Sequence, residues 1–176
     1  MGVPHMGSDE RTKDLEAYSW FFTSEYPQVV RLLSLVVNDR GVAEELAQEG
    51  FIRLYQNWAK VSRYENPEAW VRRVALNRAF SWRRREGKRR HLERVADGGD
   101  RLVAEPATAR VDVLRAVRTL APRDRALVGL YHLEDRPLSE VAEVLGLREG
   151  AAKVALHRAR RRLAELLESD DKGVTR

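Results

Sequence analysis

Residues 138–163 read L-S-E-V-A-E-V-L-G-L-R-E-G-A-A-K-V-A-L-H-R-A-R-R-R-L. Ala142 and Gly146 stand four positions apart, with Val141, Leu145 and Leu147 as apolar supports. A small side chain in one helix lets a second helix cross close by, and a glycine supplies the tight turn between them. At helical spacing the second half puts Ala152, Leu156, Ala159, Leu163 and Leu166 on one side. Its other side carries Lys153, His157, Arg160 and Arg161. The spacing predicts a helix-turn-helix whose second helix is basic on its free face, the geometry that enters a major groove. A helical hairpin with a solvated basic face is the alternative.

Upstream, residues 111–120 repeat apolars at Val113, Leu114, Val117 and Leu120, and Pro122 opens a further helix with Ala126, Leu127, Leu130 and Tyr131 inward. Before that, residues 91–110 hold Asp97-Gly98-Gly99-Asp100 and Pro106 without periodicity, which reads as a linker. The stretch preceding it, residues 70–90, is W-V-R-R-V-A-L-N-R-A-F-S-W-R-R-R-E-G-K-R-R. It sets nine Lys or Arg against one Glu, with Trp70, Phe80 and Trp82 spaced through it. On a helix, Val71, Ala75, Ala79 and Trp82 form a core stripe. Arg73, Asn77, Ser81 and Arg84 form another side, headed by Trp70. Asn is a poor helix former, so Asn77 between arginines reads as placed to touch something polar. Arginines for phosphates, an amide for a base edge and an aromatic for an unpaired base make a nucleic-acid site. A solvated basic helix over an ordinary aromatic core is the alternative.

The N-terminal portion is also helical in pattern. Leu15, Tyr18 and Phe22 share a side; Val29, Val30, Leu33, Val36 and Val37 form a second run, with Ser24 and Pro27 read as a helix start between them. Residues 41–58 give a broad core face of Val42, Ala43, Leu46, Ala47, Phe51, Leu54 and Trp58. The opposite face holds Glu45, Gln48, Glu49, Ile52 and Gln56. Such a face is either solvated or docks a basic partner around Ile52. Residues 59–68 form a loop; Asn66 is placed to cap the basic helix and Pro67 to take its first position.

The totals bound the function. The chain has 176 residues, a net charge of +5 and no cysteine; its pI is about 9.8. Basic charge in two separate patches favours one long polyanion as partner. The lack of cysteine removes disulfides, thiolate catalysis and cysteine-ligated zinc. His5, His91, His132 and His157 fall in no metal-binding spacing, and no phosphate loop or nucleotide-binding glycine motif is present. No cofactor and no membrane insertion are expected, and no strand pattern or repeat appears.

Three stretches carry a family resemblance: V-A-E-E-L-A-Q-E-G-F-I-R-L-Y at 42–55, N-P-E-A-W-V-R-R-V-A-L-N-R-A at 66–79, and L-S-E-V-A-E-V-L-G-L-R-E-G-A-A-K-V-A-L-H-R-A-R at 138–160. In this order they resemble an extracytoplasmic-function sigma factor, the minimal class of the sigma-70 family of bacterial RNA polymerase. The resemblance covers residues 26–167. It implies an all-α fold of two small helical domains, sigma region 2 at 9–90 and the region 4 helix-turn-helix at 111–168, joined by a flexible linker at 91–110. Residues 1–8 read as an appended remnant or disordered N-terminus, and 169–176 as a disordered tail.

The resemblance also implies roles. Glu45, Gln48, Glu49, Ile52 and Gln56 would dock on the β′ clamp helices of core polymerase. Tyr64, Asn66, Trp70, Arg73, Asn77, Ser81 and Arg84 would contact the −10 element and help hold a flipped base. Arg148, Glu149, Ala151, Lys153, Val154, His157, Arg158 and Arg161 would contact the −35 element, with region 4 also binding the β flap. An anti-sigma factor is a further expected partner, and the expected location is cytoplasmic, at the nucleoid when in holoenzyme. The protein would direct promoter recognition, melting and initiation without catalysing a reaction. The reading helix departs from the family's S-x-G-T-V-K-S-R-L-H-R-A-R: Arg148, Ala151, Val154 and Ala155 replace its Ser, Thr, Ser and Arg. An altered −35 preference is therefore expected, with Ala151 and Val154 suited to thymine methyls. The rival is a free-standing helix-turn-helix regulator, in which the face around Ile52 has no task.

Overall fold

The computed structural model describes residues 8–97 and 109–173, and all regular structure among them is helical. The N-terminal half comprises α1 (Ser8–Val37), α2 (Arg40–Gln56), the single turn α3 (Trp58–Val61) and α4 (Pro67–Asp97). The C-terminal half comprises α5 (Ala109–Thr119), α6 (Pro122–Val128) running into a π-helical turn (Gly129–Leu133), α7 (Leu138–Leu145) and α8 (Glu149–Gly173).

The two N-terminal helices expected on either side of Ser24 and Pro27 are one helix, with Pro27 inside it. An interior proline removes one backbone bond and costs about 3 kcal/mol. Packing on both sides of Pro27 outweighs that cost. Phe22 meets Phe51 edge-on at 5.1 Å, Tyr18 meets Trp58 at 5.4 Å, and Tyr26 meets Phe51 at 5.5 Å. The Tyr18 hydroxyl donates to the Phe51 carbonyl at 3.0 Å. Beyond the proline, Val29, Val30, Leu32, Leu33, Val36 and Val37 are all buried.

Local signals set most other boundaries. The Asp39 carboxylate caps α2 by accepting from the Val42 amide at 3.0 Å. Asn66 caps α4 by accepting from the Ala69 amide at 2.8 Å, and Pro67 takes the first position. Val71, Ala75 and Ala79 are buried and Trp82 half-buried, as the core stripe requires. Gly50 lets α2 and α4 cross closely, since a Cβ there would lie 3.3 Å from that of Ala75. In the helix-turn-helix, Gly146 adopts φ 65°, the left-handed conformation that ends α7. The Leu147 amide then donates to the Ala142 carbonyl at 2.8 Å.

Helix α4 outruns its expected end at residue 90 and enters the stretch read as linker. Glu86 explains part of this. It accepts from Arg89 at 2.7 Å and Arg90 at 2.8 Å, three and four residues on, and those bonds pull its carboxyl down to about 2. Helix α8 likewise runs past residue 168, into the stretch expected to be a disordered tail. Residues 1–7, 98–108 and 174–176, with the rest of the expected remnant, linker and tail, lie outside the described residues.

A flexible linker predicts two halves without a fixed angle. In the structure they share one apolar core: Leu32 and Leu33 of α1 belong to the same cluster as Ala126, Leu127, Leu130 and Val141. Gly129 lies close against α1, where an added Cβ would stand 2.8 Å from Leu32 Cδ1. The buried Arg125 donates to the Val36 carbonyl at 3.0 Å and the Leu120 carbonyl at 2.8 Å, tying α6 to the end of α1.

Two glycines should respond oppositely to a side chain. Gly50→Val forces α2 from α4 and is expected to cost about 1–3 kcal/mol. Gly87 has open space around it; Gly87→Ala should stabilise α4 by about 0.5–1 kcal/mol. Urea denaturation midpoints check both.

Candidate nucleic-acid interface

The capped start of α4 and the loop before it place four of the sequence-predicted residues together. Tyr64, Asn66, Trp70 and Arg73 line one open cleft of about 640 Å³. Tyr64 is 39% exposed, and Trp70 is half-buried, packed against the core edge while lining this cleft. Trp70 therefore serves core and cleft at once. The Asn66 side-chain oxygen is committed to the helix cap, which leaves its amide nitrogen for a ligand.

One turn further along α4 lies a second group. Asn77 is exposed and its side chain makes no hydrogen bond among the described residues. Ser81 donates to the Asn77 carbonyl at 2.9 Å and accepts from Arg84 at 3.0 Å, so Ser81 orients that guanidinium along the helix surface. Asn77 and Ser81 line a cleft of about 500 Å³ between α2 and α4, together with Glu45, Glu49, Arg78 and Arg85. The predicted stripe is thus one helix side serving two clefts.

Arg72, one of a run of basic residues, is turned inward, with no exposed surface. Its Nη1 donates to Glu25 at 2.7 Å and its Nε to Glu134 at 2.6 Å. A helical wheel holds the signal: Arg72 falls between Ala69, Leu76 and Ala79, all buried. Arg73 points outward, but its Nε donates to the Glu143 carbonyl of α7 at 3.1 Å.

On α2, Glu45, Gln48, Glu49, Ile52 and Gln56 are all exposed, with Ile52 at 58%. Tyr55, missed in the sequence because it sits one residue off the core stripe, is 57% exposed beside them. Its ring meets Tyr18 edge-on at 5.0 Å. Glu49 pairs with Arg78 of α4, linking the acidic face to the basic helix.

Arg148, just before α8, and Glu149, Ala151, Lys153, Val154, His157, Arg158 and Arg161 on it are all exposed. Val154, at 56%, presents a bare aliphatic surface. Arg160 is drawn away from this face. It lies over the Tyr131 ring at 5.1 Å and donates to His132 Nε2 at 3.2 Å. Burial first, then the Arg160 charge, push the His132 pKa down, so the imidazole accepts that bond as the neutral form.

An acidic exposed face on α2, an aromatic-basic helix and a helix-turn-helix, carried on two helical units, are the parts of a promoter-recognition class. Residues 21–89 match the family model described as Sigma-70 region 2, and residues 110–163 that described as Sigma-70, region 4. The chain belongs to the sigma-70 family, as an RNA polymerase sigma factor of the extracytoplasmic-function class. It is 33% identical to the RNA polymerase sigma-E factor of Streptomyces avermitilis, over 81% of this chain and 80% of that protein. It is 34% identical to the sigma-E factor of Streptomyces antibioticus, over 77% and 76% of the two chains. Among solved structures it resembles the sigma factor RpoE of Bartonella quintana, crystallised with the anti-sigma factor NepR. That match has a TM-score of 0.71 at 21% identity and covers 88% of this chain and 99% of the other, a likeness of fold. Among the described residues no helix is long and apolar enough to cross a membrane.

The cap at the start of α4 should be measurable. Asn66→Ala removes the acceptor of the Ala69 amide and is expected to cost about 1 kcal/mol, whereas Asn66→Asp keeps it. Denaturation of the two variants under one set of conditions distinguishes them.

Proposed function

We propose that this sigma factor docks on the β′ clamp helices of core RNA polymerase through the exposed face of α2. It then contacts the −10 element through α4 and the loop before it, and the −35 element through α8. The observation that carries this reading is the α2 face itself. Ile52 and Tyr55 stand exposed among Glu45, Gln48, Glu49 and Gln56. That arrangement, an apolar centre ringed by acids and amides, suits a basic partner surface. A free-standing helix-turn-helix regulator needs α8 and gives this face no task.

The protein itself catalyses no reaction. It contributes to melting by trapping an unpaired non-template base. Unpairing costs a few kcal/mol, and stacking on an aromatic surface returns about 1–3 kcal/mol. Trp70 and Tyr64 supply ring surface in the first cleft with Arg73 as a polar contact, and Asn77 supplies one from the neighbouring cleft. Region 4 additionally engages the β flap. An anti-sigma factor, as the Bartonella RpoE has in NepR, would act by covering these surfaces. The setting is cytoplasmic, at the nucleoid in holoenzyme. The aliphatic Ala151 and Val154 on the reading face favour thymine methyls in the −35 element.

Run-off transcription with core polymerase on a promoter library tests the whole reading; no promoter-directed transcript would refute it. Ile52→Lys should leave helicity unchanged and weaken core binding by about 2 kcal/mol or more, the size of an interface hot spot. Quantitative co-purification with core polymerase measures this, and parental affinity would remove α2 as the dock.

Asn77→Ala should raise helix propensity, so stability holds or rises by up to about 0.7 kcal/mol. Promoter opening should nonetheless fall, read as permanganate reactivity of −10 thymines at saturating holoenzyme. A template with a pre-melted bubble should rescue it in part. Full opening on duplex DNA would leave Asn77 without a role in melting.

A further inference from the structure

Arg72 and Arg136 are held by carboxylates: the first by Glu25 and Glu134, the second by Glu134, Glu68 and Glu140. Arg160 is held differently. Its Nε donates to His132 Nε2 at 3.2 Å, and its guanidinium lies over the Tyr131 ring at 5.1 Å. The Tyr131 and His132 rings meet edge-on at 4.9 Å, so one aromatic pair on the π-helical turn holds the cation. Among the described residues no carboxylate pairs with Arg160, and its Nη nitrogens donate to nothing. A guanidinium fastened only by neutral groups is one that a better anion can take.

Arg160 also starts from the reading side of α8. It follows Lys153 by seven residues and His157 by three, which sets it about 20° and 60° from them around the helix. All three are exposed. Its side chain bends back from that side to reach the turn. The bond that keeps it there depends on one proton. An imidazole accepting at Nε2 carries its own proton on Nδ1. A second proton would occupy Nε2, remove the acceptor and set a cation against Arg160. The turn packs on α1, α6 and α7, and among the described residues the charge that acts on His132 is that of Arg160, from α8. Burial first, then that charge, hold the imidazole below its ordinary pKa. The bond is therefore whole above the ordinary histidine range and is lost as pH falls through and below it.

We infer that Arg160 is a conditional DNA contact: held by His132 and Tyr131 it braces α8, and once His132 gives it up it adds a phosphate contact beside the −35 reading face. The inference rests on the −35 assignment proposed above. A phosphate contact carries no sequence information, so Arg160 changes how tightly the helix-turn-helix binds and not where. Protonation and DNA binding are linked through it. Acid tightens binding, and bound DNA in turn draws a proton onto His132.

Two variants fix the two states without altering a proposed DNA contact. His132→Gln keeps an acceptor that does not titrate, so Arg160 stays held. His132→Ala removes the acceptor, so Arg160 is free at every pH. Anisotropy of a short fluorescein-labelled random-sequence duplex, titrated with the whole chain over a range of salt, compares them, and circular dichroism checks folding. At about pH 8, His132→Ala should steepen the slope of log affinity against log salt by about 0.9, the increment of one phosphate. Adding Arg160→Gln should cancel that increment. The parent chain should match His132→Gln at about pH 8 and move to the steeper slope at about pH 5, where the other histidines titrate in both proteins alike. Nitrogen NMR of the parent at neutral pH should show the Nδ1–H tautomer for His132, assigned by its loss in His132→Gln. An Nε2–H tautomer, a parent that never departs from His132→Gln, or a steepening that survives Arg160→Gln would overturn the inference. Lys153→Ala and Arg158→Ala separate it from the reading beneath it. If they flatten the slope while folded His132→Ala leaves it unchanged, the conditional contact falls and the −35 assignment stands; if none of the three moves it, both fall.

Discussion

The guanidinium of Arg72 is the constraint on which the arrangement depends. It is a charged group taken out of water, so its burial must be matched by carboxylates. Glu25 comes from α1 and Glu134 from the far side of the π-helical turn. Satisfying both demands that α1, α4 and the C-terminal half converge at one point. Removing one partner from a buried pair costs about 3–5 kcal/mol, because it strands the other charge. The pairing is nonetheless incomplete: Arg72 Nη2 and Glu134 Oε1 find no hydrogen-bond partner among the described residues. Such a cluster contributes register more than net stability, and it specifies which faces meet.

Small residues let the helices come close enough for those charges to reach. Gly50 against Ala75 brings α2 onto α4, and Gly129 against Leu32 brings the C-terminal half onto α1. Helix α4 consequently serves three environments at once. Val71, Ala75 and Ala79 face the core, Arg72 faces the buried carboxylates, and Arg73, Asn77 and Arg84 face outward. A turn of 100° separates the buried Arg72 from the exposed Arg73.

Charge is distributed so that partners can exchange it. The Glu49–Arg78 pair spans α2 and α4 with both side chains substantially exposed. Exposed pairs contribute only about 0–1 kcal/mol, so the basic surface proposed for α2 and the phosphates proposed for α4 would each take their own partner from this pair at little cost. Arg160 shows the opposite case. Held over Tyr131 and bonded to His132, it supports the helix-turn-helix instead of extending its reading face.

The sequence by itself determined whatever depends on neighbours a few residues away. The helical periods, the Asn66 cap, the tight turn at Gly146 and the exposed faces of α2 and α8 are all of this kind. Their causes are backbone geometry and side chains within one turn of helix, so spacing alone discloses them. Tertiary structure decided what depends on the opposing surface. Pro27 reads locally as a helix start, yet aromatic packing from α2 and α3 carries α1 through it. Arg72 and Arg73 are identical in type and adjacent; the wheel puts the first on the apolar side, but only the long-range partners Glu25 and Glu134 give its charge a place there. The meeting of the two halves was invisible for the same reason. Gly129, Glu25 and Glu134 are unexceptional one at a time, and their role comes from a long-range approach that no local pattern encodes.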